Sequence, residues 1–161
     1  MLSFAFTALP SSINDATPPA QVNTSWQHPI TPNSQNTPTC SIDGYAGCIA
    51  SLSLDMANQV NLRDLINCRS VQLTDRAASG NMTFDMTTLA NKDFFALIKA
   101  GNLVPFSLTH GTESGKTMEI TAPKVQLATL SRAEDNGITQ ATVDMRLTAE
   151  NGNDEIIITA K

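Results

Sequence analysis

The sequence predicts a mainly β fold: an antiparallel β-sandwich or barrel with one short flanking α-helix. Three observations point there. Apolar and polar residues alternate in short runs throughout the second half of the chain. Gly, Asn and Ser clusters separate those runs. Only one segment, around residues 91–101, carries a helical period with helix-start and helix-stop residues.

The elements follow in order. Leu2-Ser-Phe-Ala-Phe-Thr7 alternates and reads as a short strand that must pair with a sheet to persist. Residues 10–38 hold six of the eight prolines, and Asp15 is the only formal charge before residue 38. That composition predicts an extended arm or linker over 1–37, ahead of a barrel domain over 38–161. Thr39–Asp43 and Cys48–Met56 read as a hairpin around Gly44 and Gly47, with Leu52, Leu54 and Met56 on one face. Val71–Asp75 and Asn81–Thr87 read as a second pair, joined near Ala77–Gly80. There Met82, Phe84 and Met86 alternate with Thr83, Asp85 and Thr87. Asn91–Gly101 reads as the helix, with Asn91 as its cap, Phe94, Leu97 and Ile98 on one face, and Gly101 as its stop. Val104–Thr109 and Thr117–Ala122 form a third pair about the Gly111–Gly115 turn.

The longest signal is the hairpin Lys124–Glu134, Asp135-Asn136-Gly137, Ile138–Glu150. Asn-Gly supplies the positive φ angles of a tight reversal. Val143, Met145 and Leu147 point one way; Thr142, Asp144, Arg146 and Thr148 point the other. Asp154–Ala160 closes the count at eight to ten strands.

The 161 residues hold 41% hydrophobic but only 5% aromatic residues, so the core must rest on aliphatic side chains, Met and Phe. A net charge of −5 argues against a module that grips nucleic acid by its phosphates. The first basic residue is Arg63, and Leu2–Leu9 is too short for the apolar run of a secretory signal. The expectation is a protein made in the cytoplasm, with no membrane partner.

No chemistry is legible. Cys40, Cys48 and Cys68 lack paired metal-ligand spacing and read as reduced, partly buried thiols. Gly111-Thr-Glu-Ser-Gly115-Lys116-Thr117 has one residue too few for a phosphate-binding loop, and a strand follows where a helix must begin. His28 and His110 sit in no nucleophile motif and read as solvated. The acidic turns at 134–137 and 150–155 lack the alternating ligands of a calcium loop. No cofactor, metal or catalytic residue is expected, and the chain does not read as an enzyme.

One ordered series of segments carries a resemblance. It runs Ile42-Asp43-Gly44, Ser51-Leu52-Ser53-Leu54-Asp55, Asn58-Gln59-Val60 with Arg63, and Val71-Gln72-Leu73-Thr74-Asp75-Arg76 with Ser79-Gly80. It continues through Met118-Glu119-Ile120-Thr121-Ala122-Pro123-Lys124-Val125 to Asn136-Gly137-Ile138. Over about residues 38–161 the chain resembles the tail tube proteins of long-tailed phages, whose fold the type VI secretion tubes share. The resemblance implies a β-barrel with a flanking helix. It also implies a homo-oligomeric ring, usually hexameric, that stacks into a tube, meets other tail proteins and lets DNA pass. The place of action it implies is the virion tail. Members with two barrels exist, so Leu2–Thr7 is expected to close a preceding unit or reach a neighbour. In this frame Thr142, Asp144 and Thr148 are candidate lumen-facing residues, and Trp26 is a candidate inter-subunit anchor in the arm. The competing reading is a glycan- or surface-binding β-sandwich module. Its aromatic platform would have to come from Trp26 or Tyr45.

Overall fold

The computed structural model describes residues 2–10, 15, 17–22 and 30–161. Two compact units emerge, Met1–Thr31 with Asn58–Arg76, and Pro32–Ala57 with Ala77–Lys161. Trp26 and His28 lie outside the described residues.

The larger unit is a curled, antiparallel, seven-stranded half-barrel. Its strands are β1 (Thr39–Ile42), β2 (Ile49–Asp55), β5 (Ser79–Asp85), β6 (Leu103–His110), β7 (Met118–Asp135), β8 (Ile138–Thr148) and β9 (Ile157–Ala160). The order is β1-β6-β7-β8-β5-β2, with β9 against the first part of β7. The smaller unit holds the hairpin of β3 (Asn58–Leu65) and β4 (Cys68–Arg76). The one helix among the described residues, α1 (Phe94–Ala100), packs on β7.

The predicted alternation is what builds the core. Met82 and Phe84 on β5, and Val143, Met145 and Leu147 on β8, are buried, while their neighbours in sequence face outward. The Phe84 ring lies 4.8 Å from that of Phe94 on α1, and Tyr45 stands edge-on to Phe94 at 5.4 Å. These three rings fasten the helix to the concave side of the sheet. Leu97 and Ile98 are half-buried beside them, on the expected face.

Several expectations change. Thr39–Ile42 and Ile49–Asp55 are strands but not a hairpin: β1 pairs with β6 and β2 with β5, at opposite ends of the sheet. The turn at Asp43-Gly44 is real, yet it closes only an isolated bridge between Ile42 and Tyr45. Val71–Asp75 pairs not with β5 but with β3, a strand not expected from the sequence. Residues 2–10 form no strand. The segments 117–122 and 124–134 are one strand, because β7 runs through Pro123. A register shift between Val104 and Phe106 sets Pro105 and Pro123 in an irregular stretch, where the missing amides break no ladder. The helix is capped by Asp93, whose carboxylate accepts from the Ala96 amide at 2.9 Å, and not by Asn91. Gly101 ends it in the left-handed conformation, as expected.

Candidate functional site

The β7–β8 hairpin is fixed by its loop. Asp135 and Ile138 face each other across Asn136-Gly137, both in the left-handed region. From that anchor the register carries outward through four strands. Ser131 on β7 opposes Thr142 on β8, Thr142 opposes Thr83 on β5, and Thr83 opposes Ser51 on β2. One row of hydroxyls therefore crosses the sheet, and Thr83 and Thr142 hydrogen-bond at 2.9 Å.

The next row toward the Ser79 end is Asp144, Asn81 and Ser53, with the Thr129 hydroxyl donating to Asp144. Gln126, Arg146, Ser79 and Asp55 follow. On the other side, the Gln140 amide donates to Asp85 at 3.2 Å. The convex face of this four-stranded wall thus carries Asp55, Asp85, Asp135 and Asp144 against Lys124 and Arg146, four carboxylates to two cations. Its exposed large apolar side chain is Ile138, beside the hairpin turn.

The sequence-predicted candidates fall on this face. Thr142, Asp144 and Thr148 alternate with buried Val143, Met145 and Leu147. Thr148 lies beyond the last β5 partner of β8, opposite Lys124, and its hydroxyl donates to the Lys124 carbonyl at 3.0 Å.

Among the described residues, both lateral edges of the wall lack a strand partner. β2 pairs only with β5. β6 follows β7 no further than Gln126, so the stretch from Leu127 to Asp135 is paired only with β8. In a two-residue hairpin, hydrogen-bonded and non-bonded pairs alternate from the loop. The amides of Leu130, Arg132 and Glu134 therefore point away from β8. Each neighbouring pair in the wall is antiparallel, so the two free edges run in opposite directions.

Reactive geometry is not assembled here. A shallow recess among Ser53, Asp55, Ser79, Asn81 and Asp144 holds two carboxylates. Among the described residues no cluster of three His, Cys, Asp or Glu stands ready for a metal. His110 is half-buried rather than solvated, with its Nδ1 2.9 Å from the Thr37 hydroxyl; it ties the 33–37 turn to the end of β6. Asp154 organises the 150–155 turn by accepting from the Glu150 and Asn151 amides at 2.8 and 3.0 Å. Those bonds, the Asn151 amide foremost, hold its carboxyl below the ordinary value. Tyr45 packs into the core cluster beside Phe84 and Phe94 and offers no flat exposed platform for a sugar. Cys40 is half-buried, which pushes its thiol up to about 11, whereas Cys48 and Cys68 are exposed and not partly buried.

No family model matches the chain, and no curated protein matches it by sequence. Solved structures do. The sheath/tube terminator of PVC, an extracellular contractile injection system, superposes with a TM-score of 0.61 at 14% identity. That match covers 84% of this chain and 100% of the other. A chain of the PVC sheath–tube complex in the extended state superposes at 0.60 and 12% identity, over 86% and 95% of the two chains. The chain shares the fold of these injection-system components. No helix among the described residues is long and apolar enough to cross a membrane.

The wall was half legible beforehand. The alternation of β8 placed its two faces, but the free edges depend on pairings distant in sequence, and no local signal marks them.

Proposed function

We propose that this chain is a structural, self-assembling subunit of a tail tube, acting in a virion tail or a related injection particle and not as an enzyme. Copies join side by side into a ring, hexameric in the family the sequence resembles. Rings stack, and the convex polar face of the wall lines a channel through which DNA passes.

The observation that carries this reading is the pair of free edges on one four-stranded wall. Because they run in opposite directions, β2 of one copy can add to β7 of the next as an antiparallel strand. The contact is heterologous, and repetition closes a ring when the rotation per copy divides a full turn. Each added backbone hydrogen bond contributes about 0.5–1.5 kcal/mol net and removes an edge that would otherwise invite uncontrolled pairing. The exposed face suits a lumen. Its side chains are mostly polar, and its acidic excess, with Asp144 near the middle, repels phosphates and prevents sticking. The shared fold with components of a PVC sheath–tube complex supports a place among tail proteins.

Electron microscopy of the purified chain over a concentration series tests the proposal. Rings or stacked rings are expected. A population that stays monomeric throughout would refute it.

A further inference from the structure

Two amphipathic β-like elements in the smaller unit lie uncovered. The first is the β3–β4 hairpin. Val60 opposes Leu73, and Leu62 opposes Val71, so four aliphatic side chains share one face. Val60, Leu62 and Leu73 are each more than two-fifths exposed, and all of β3 is exposed. The charges nearest the tip on that face, Asp64 and Arg69, pair with each other at 3.5 Å. The second element is the segment Leu2–Thr7. Leu2, Phe4 and Phe6 repeat every second residue and are exposed, Phe6 by 88%. The Phe4 and Phe6 rings stack at 6.2 Å on one side of the chain. The segment carries no formal charge and forms no strand.

We propose that Leu2–Thr7 of one copy adds to the β3–β4 hairpin of a second copy, laying Phe4 and Phe6 on the Val60, Leu62, Val71 and Leu73 face. The contact deepens the tube-subunit reading and rests on it for the supply of neighbouring copies. A two-stranded hairpin is marginal in water, and three strands with an apolar face are the smallest stable sheet. The hairpin lacks the third strand, and the segment lacks a sheet. Both carry the two-residue period, and an uncharged strand meets a face whose only charges are already paired. The occupant assigned is another copy, because each copy carries both the segment and the hairpin face, and both stay exposed within one chain.

The area suffices. Two phenylalanines bury about 300–500 Å². With the facing aliphatic side chains counted, the contact reaches on the order of 1,000 Å², the lower bound for a specific interface.

The test uses a labelled peptide of residues 2–10 and the full chain carrying Phe4→Asp and Phe6→Asp, which disables its own segment. The peptide is expected to bind this chain, and at least about tenfold more weakly once Leu62→Asp and Leu73→Asp are added. Equal binding by both proteins, or none by the first, overturns the proposal. If the Asp variants lose structure by circular dichroism, Leu62→Thr with Leu73→Thr replaces them. Mixing the Phe4/Phe6 variant with the Leu62/Leu73 variant supplies one intact contact per pair, so a heteromeric species is expected; its absence also overturns the proposal. Rings formed by the unmodified chain without peptide binding would remove this contact and leave the tube reading standing. Peptide binding without rings would do the reverse.

Discussion

Phe84 is wholly buried among Phe94, Tyr45 and the β8 side chains. Phe84→Ala removes the ring that joins helix to sheet and is expected to cost about 3–5 kcal/mol in denaturant unfolding. A loss under about 1 kcal/mol would mean that the ring cluster does not hold α1. Gly80 is needed for a different reason. A Cβ there would meet the Ser53 carbonyl oxygen at 2.5 Å, so Gly80→Ala must push β2 away from β5. Raised hydrogen exchange in β2 would show it. Asp93→Ala should cost about 1 kcal/mol through the lost helix cap, whereas Asn91→Ala should cost little. Sequence could not separate these two. Both residue types cap well and they lie two positions apart; only the reach of the carboxylate to Ala96 decides. For the thiols, burial holds Cys40 protonated up to about pH 11. Alkylation at pH 8, followed by mass spectrometry, should therefore label Cys48 and Cys68 well before Cys40.

The well-read elements are those whose signal is local. The β7–β8 turn announces itself through Asn136-Gly137, and α1 through Gly101 and its apolar face. Elements were misread where the signal is cooperative. Pro123 looks like a stop, yet β6 and β9 hold the first part of β7 and β8 holds the rest, so the strand continues. The strand β3 was missed because its alternation is diluted by Asn61, Arg63 and Asp64, and its partner β4 supplies half of its apolar face. The 150–155 turn shows local chemistry that responds to pH. Asp154 is held below its ordinary value by the amides it accepts from, so its carboxylate contribution is complete above about pH 4 and fades as pH falls through the lowered value. An NMR titration should place its midpoint below that of a model Asp; a midpoint at or above about 3.9 would contradict the geometry.

At the scale of the molecule, the fold class was legible because alternation and turn chemistry agree over most of the chain. The topology was not. β1 and β2 are close in sequence yet sit at opposite ends of the sheet, since each satisfies its backbone with a distant strand. That displacement leaves β2 at the end of the sheet, where the proposed ring contact would form. Replacing Arg132 and Glu134 with proline removes two outward amides while sparing the β8 ladder. The double variant should fold normally and fail to form rings by light scattering; rings at wild-type concentrations would place the contact elsewhere.

The most direct measurement is hydrogen exchange resolved to single amides, followed as concentration rises through assembly. The Leu130, Arg132 and Glu134 amides, and the outward amides of β2, are expected to slow together as rings appear. Rings that assemble while those amides exchange as freely as in the monomer would contradict the proposed ring contact.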